Sequence, residues 1–223
     1  MSGEVPGEPV APAGATASPA PAPPLFALAA GAPAGDGAEW GSLEELGAHV
    51  SGCTRCRLAE GRRTVVFGSG NPQAELMFIG EGPGAEEDRR GLPFVGPAGE
   101  LLTRIIKAIG LSRDDVYIAN IVKCRPPGNR DPKPDEVATC IGYLERQIDF
   151  VRPRAIVALG RIAAQSLLGN DLPIGRMRGQ WFTVRGVDTL VTYHPAALLR
   201  NPGLKRPTWE DMQKVQERLR AGA

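Results

Sequence analysis

Leu76-Met77-Phe78-Ile79, running straight into Gly80-Glu81-Gly82-Pro83-Gly84-Ala85-Glu86-Glu87-Asp88 and closed by Pro93-Phe94-Val95-Gly96, decides the fold class. The apolar quartet reads as a buried strand, bounded at once by glycine. The segment that follows reads as an amphipathic helix. Between them, three glycines and a proline let the backbone turn sharply and approach a ligand closely. In open α/β folds, chemistry gathers at such loops, at the carboxyl ends of the strands. Four carboxylates, Glu81, Glu86, Glu87 and Asp88, do not suit a loop that only cradles phosphate. The Gly-Lys-Ser/Thr ending of a nucleotide P-loop is also missing. The loop is a candidate site of another kind.

Outward from this loop, strands and helices alternate. Pro97 suits a helix start, Leu101, Leu102, Ile105, Ile106 and Ile109 recur at helical spacing, and Gly110 supplies a stop. Val116 to Ala119 predicts a second strand, and Pro134 opens a longer helix striped by Val137, Ile141, Leu144 and Ile148. Ala155 to Leu159 predicts a third strand, followed by a helix over Arg161 to Leu168. Trp181 to Val184 and Leu190 to Val191 predict further strands, and Thr208 to about Leu219 a last helix. Upstream, Ser42 caps a short helix reaching Val50. Such alternation predicts a mainly parallel sheet covered on both faces.

The first 38 positions hold 26 Ala, Pro or Gly residues, too little apolar surface to offset the entropy of ordering. Residues 1–38 are therefore expected to form a disordered tail, and 39–223 the functional domain. The tail has no basic n-region of a secretory signal, and no segment suits a membrane span. The expectation is a soluble cytoplasmic protein. Residues 1–54 carry six acids and no Lys or Arg, so all 26 basic residues lie from Arg55 onward, against 19 acids. Between Leu172 and Pro207, Arg176, Arg178, Arg185, Arg200, Lys205 and Arg206 face Asp188 alone. Clustering near a candidate site points to a polyanion partner, with nucleic acid foremost.

Four cysteines form a second signal. Cys53 and Cys56 make a C-x2-C pair, with Cys124 and Cys140 far downstream. Two thiolates so spaced turn toward one metal site, and four suit structural zinc or an iron–sulfur cluster. Spacing does not choose between them, and Cys140 on a helix stripe also fits plain packing. The third signal is Thr192-Tyr193-His194-Pro195-Ala196-Ala197-Leu198-Leu199-Arg200, after the last strand, with His194 one of only two histidines. Glu81, Phe94, Asn120 and His194 thus fall at strand ends, where one pocket collects them.

The first loop, the His-Pro motif and the four cysteines together resemble the family 4 uracil-DNA glycosylases, from about Leu43 to Leu219. The resemblance implies a three-layer α/β/α sandwich around a four-stranded, mainly parallel sheet, and a [4Fe-4S] cluster on Cys53, Cys56, Cys124 and Cys140. It implies that uracil-containing DNA, single- or double-stranded, is the substrate of a monomeric repair enzyme. Phe94 would stack on the flipped uracil, Asn120 would bond its N3–H and O4, and Gly82 and Glu87 would complete the pocket, Glu87 excluding the thymine methyl. His194 would donate to O2 and Glu81 would position water. Leu198 would be the wedge that fills the vacated stack, with Leu199 in reserve. Arg200, Arg176, Arg178, Lys123 and Arg125 would meet the DNA backbone, the last two on a rigid basic loop.

Covalent X-type relatives capture DNA through a His on an inserted loop. The matching region, residues 171–179, has no His, so turnover is expected. A catalytically silent DNA-binding module is the alternative, disfavoured because binding DNA alone needs no uracil-shaped pocket. The acidic tail is available to a replication or repair partner.

Overall fold

A computed structural model describes residues 40–221; the expected tail lies outside the described residues. Along the chain the elements are α1 (Leu43–Ser51), α2 (Leu58–Gly61), β1 (Ser69–Gly70), β2 (Leu76–Gly80), α3 (Ala85–Arg90), α4 (Pro97–Ala108) and β3 (Tyr117–Asn120). They continue with α5 (Pro134–Val151), β4 (Ala155–Leu159), α6 (Arg161–Leu168), α7 (Ile174–Met177), β5 (Trp181–Val184), β6 (Val187–Thr192), α8 (Pro195–Arg200) and α9 (Lys205–Arg220). Ser42 caps α1 by accepting from the Glu45 N–H at 3.1 Å. Among the described residues no helix is long and apolar enough to cross a membrane.

The sheet has six strands in the order β1-β3-β2-β4-β6-β5. The inner four, β3-β2-β4-β6, are parallel, and the two edge strands pair antiparallel. The expected four-stranded sheet is therefore the core of a wider one. Both faces of the parallel strands are apolar, as a doubly covered sheet demands. Leu76 and Phe78 of β2 point to one side, with Leu102 and Ile106 of α4 and Met212 and Val215 of α9. Met77 and Ile79 point to the other, with Leu46 of α1, Val137 and Leu144 of α5, and Ala163 and Leu167 of α6. Three layers follow.

Strand order reverses at β2, with β3 on one side and β4 on the other. A crevice opens between diverging connections at such a switch point. Here it opens between the loop after Gly80 and the turn at Gly160.

Candidate active site

A cleft of about 530 Å³ occupies that crevice, lined among others by Glu81, Gly82, Glu87, Phe94, Asn120 and His194. Six residues separated in sequence meet because each ends or follows a parallel strand or packs on one that does. Gly80, the last residue of β2, packs directly against two of them. A Cβ there would lie 2.5 Å from Asn120 Oδ1 and 2.6 Å from the Phe94 ring. Asn120 ends β3 beside it, in register with Gly80. Its Oδ1 is buried and has no hydrogen-bond partner among the described residues. A buried amide oxygen without a donor costs about 1–3 kcal/mol, so it marks a place where a ligand donor belongs.

Phe94 is held in the left-handed region at φ 53°, uncommon for an aromatic residue. Several contacts fix it there. Arg113 donates to the carbonyls of Phe94 (3.2 Å) and Pro93 (2.9 Å). Gly99 of α4 leaves room for the Phe94 carbonyl, which a Cβ would meet at 1.9 Å. Glu87 does the rest. One carboxylate oxygen accepts from Val95 N–H (3.0 Å) and Gly96 N–H (3.1 Å), and the other from Gly84 N–H (3.1 Å). Glu87 thereby ties the glycine loop to the Phe94 loop.

His194 caps α8. Its Nδ1 accepts from Ala196 N–H at 3.1 Å, so in the neutral ring the proton sits on Nε2. Desolvation in the cleft pushes its pKa down to about 4, with Arg200 adding to the shift and Glu87 opposing it. At neutral pH the ring is uncharged. It lies 5.5 Å from the Phe94 ring, centroid to centroid. Glu81 sits across the cleft with its pKa raised to about 7, by burial first and then by Asp131, against the pull of Arg161. Arg161 and Asp131 pair at 2.6 Å and both line the cleft. Neither stood out in the sequence, although Arg161 directly follows the β4–Gly160 end and strand-end logic reaches it.

Residues 67–215 match the Uracil DNA glycosylase superfamily. The chain is 46% identical over 185 residues to the type-4 uracil-DNA glycosylase of Sulfurisphaera tokodaii, covering 79% of this chain and 84% of the relative. It is 48% identical over 187 residues to that of Saccharolobus solfataricus, covering 80% and 87%. The chain belongs to the type-4 uracil-DNA glycosylase family. A type-5 uracil-DNA glycosylase of Pyrobaculum aerophilum is more distant, at 35% over 171 residues.

Within this type-4 chain some expected site residues lie elsewhere. Lys123 does not face a DNA backbone. It is buried, and its Nζ donates to the Asn120 carbonyl (2.8 Å) and Gln147 Oε1 (2.5 Å). Arg178 is committed to the fully buried Asp211, donating to both carboxylate oxygens at 2.7 and 3.2 Å. Leu198 of α8 is buried at 1% exposure, while Leu199 beside it stands 44% exposed. Only the reserve candidate is therefore presented as a wedge. Arg176 and Arg200 are exposed, Arg200 at the cleft, and Arg125 bonds Asn129 Oδ1 at 2.7 Å.

All four cysteines line one small pocket beneath α1 and α5, Cys53 and Cys56 half-buried, Cys124 and Cys140 buried. Three receive donors: Arg62 Nη1 to Cys124 Sγ (3.3 Å), Lys123 N–H to Cys140 Sγ (3.3 Å) and Tyr143 O–H to Cys53 Sγ (3.5 Å). Among the described residues, no group of three or more His, Cys, Asp or Glu is arranged to hold a metal ion.

Proposed function

We propose that this chain flips uracil out of DNA and hydrolyses its N-glycosidic bond, leaving an abasic site. The unpartnered, buried Oδ1 of Asn120 carries the reading. Uracil offers the N3–H that this oxygen lacks, and its O4 accepts from the amide nitrogen of the same side chain. Cytosine reverses both roles and leaves buried polar groups unpaired, a mismatch that discriminates strongly. Phe94, fixed by Arg113 and Glu87, stacks on the extruded ring. Glu87 lines the same wall, and three backbone N–H groups prevent it from swinging aside for a thymine methyl. The Gly82 backbone completes the pocket.

Bond cleavage leaves negative charge on the departing base and positive charge on the sugar. The Nε2–H of His194, set by the Nδ1 bond, donates to uracil O2 as that charge grows. A preorganised donor aimed at developing charge acts most strongly in a desolvated site. Glu81, once ionised, holds the attacking water. Extrusion costs a few kcal/mol, and Leu199 enters the vacated stack to offset part of it. Arg200, Arg176 and Arg125 meet the backbone of single- or double-stranded DNA. This work is assigned to a cytoplasmic monomer.

The four thiolates would hold a [4Fe-4S] cluster. Four cysteines gathered on one pocket supply the donor set such a cluster takes, and the three hydrogen bonds suit thiolate sulfur. The cluster's part is a cross-link, because hydrolysis of a base transfers no electrons.

The test is strand scission by alkali after incubation with a single-uracil oligonucleotide, opposite guanine and single-stranded. Wild-type protein should give product, and Asn120→Ala and His194→Ala each about 10²-fold less. No product from wild type carrying its full cluster would leave only the binding-module alternative. A DNA–protein band surviving denaturation would show covalent capture in place of turnover.

A further inference from the structure

Helix α9 runs antiparallel to β6. Asp211 accepts from Thr192 Oγ1 at the strand's carboxyl end (2.7 Å), and Arg218 pairs with Asp188 at its amino end. Trp209 precedes Asp211 by two positions, about 200° around the helix. It therefore faces away from the sheet, at the cleft end of the molecule. Trp209 is 40% exposed. Its neighbours one turn back on the same face are Lys205 and Arg206. Arg206 is 90% exposed and meets Glu210 at 3.4 Å. Lys205 is exposed and makes no ion pair among the described residues.

This surface continues directly from the cleft. His194 caps α8, Arg200 ends it while lining the cleft, and a single turn over Pro202–Leu204 delivers Lys205. An aromatic face flanked by cations, continuous with a DNA-reading site, has the chemistry of single-strand recognition. Any unpaired base stacks on the indole, and the cations hold the phosphates on either side.

We propose that Trp209, with Lys205 and Arg206, is a stacking platform for an unpaired base of the substrate strand lying outside the cleft. The proposal rests on DNA being the substrate. Bases in an intact duplex are already stacked and unavailable, so the platform favours single-stranded or frayed DNA.

A uracil-free single-stranded oligonucleotide, and the same sequence as a duplex, would be titrated into wild type, Trp209→Phe, Trp209→Ala and Lys205→Ala. Trp40 is buried and Trp181 lies under the Arg218 guanidinium at 4.5 Å, so Trp209 is the tryptophan placed to report. The single strand should quench wild-type tryptophan emission, and both Trp209 variants should lose that quenching. By anisotropy of a labelled strand, Trp209→Ala should bind roughly tenfold more weakly and Trp209→Phe nearly as well as wild type. Duplex affinity should be unchanged by either. Lys205→Ala should lower the slope of log affinity against log salt by about 0.7 on the single strand. Unquenched wild-type emission, or a Trp209→Ala loss equal on both DNA forms, would overturn the platform. The probe contains no uracil, so a wild type that it quenches but that cleaves no single-uracil oligonucleotide would sink the glycosylase reading alone.

Discussion

At the scale of single residues, burial moves two titratable groups of the cleft in opposite directions. His194, lowered to about 4, stays neutral across the working range and adds no pH limb there. Glu81, raised to about 7, changes charge within it. If ionised Glu81 holds the water, single-turnover excision should rise about tenfold per pH unit below 7 and level off above. Glu81→Gln should abolish that limb and lower the plateau about 10²-fold. The same shift has a stability consequence. A carboxyl whose folded pKa exceeds its unfolded value keeps its proton in the folded state while the unfolded chain has lost it. Wild type therefore loses stability as pH rises from about 4.5 to 7. Glu81→Gln should match wild type at pH 4 and exceed it at pH 8 by about 1–3 kcal/mol, screening included, in denaturant melts. Equal midpoints at pH 8 would show that Glu81 is not desolvated.

At the scale of elements, two carboxylates tie segments together. Glu87 joins the loops before α3 and α4 through three backbone N–H groups, bonds to a charged acceptor worth about 1.5–3 kcal/mol each. Glu87→Ala should cost about 2–4 kcal/mol in urea unfolding and speed proteolysis near Leu92, whose side chain is exposed. Asp211 joins α9 to the end of β6 and to the segment before β5, through Thr192 and Arg178. Arg178→Ala leaves that buried carboxylate without its cation, about 3–5 kcal/mol of destabilisation. The salt dependence of DNA binding should be unchanged. Arg200→Ala should do the reverse, sparing the melt and reducing the salt slope by about 1 on duplex DNA. A slope lowered by Arg178→Ala would restore that residue to the DNA face.

This contrast shows where the sequence was legible. The inner strands and their helices were readable because apolar runs and helical stripes state burial directly. The edge strand β1 and the start of the inner strand β6 were not. β1 is Ser69–Gly70 alone, with Gly70 at φ 123°. β6 begins three residues earlier than its apolar pair, because a two-residue turn at Arg185-Gly186, both at positive φ, folds it back on β5. Arg-Gly lacks the Asn-Gly or Asp-Gly signal of such turns. The cleft residues were legible because each follows a strand. Cations were the least legible, since a Lys or Arg in sequence reads as surface. Only the partner, Gln147 for Lys123 or Asp211 for Arg178, reveals burial.

At the scale of the whole molecule, the sheet and the cysteine pocket are distinct sources of order. The parallel strands are packed by helices on both faces and contain no cysteine. The segment from Trp40 to Gly61 instead leans on α5, through Leu46 and Val50 of α1, the Trp40–Tyr143 edge contact and the four sulfurs. If the four cysteines hold the proposed cluster, its loss should release that segment and leave the sheet folded. Cys56→Ser, at one of the two half-buried positions and so less disruptive to packing than a change at Cys124 or Cys140, should lower absorbance near 400 nm. It should also speed hydrogen exchange over residues 43–61, with β2 and β4 still protected. Excision should fall further than sheet protection does, because Cys124 and Cys140 bracket the segment whose Pro126, Asn129 and Asp131 wall the cleft. Uniform loss of protection would instead mean that the cross-link supports the entire fold, and unchanged exchange over residues 43–61 would mean that side-chain packing alone holds α1 in place.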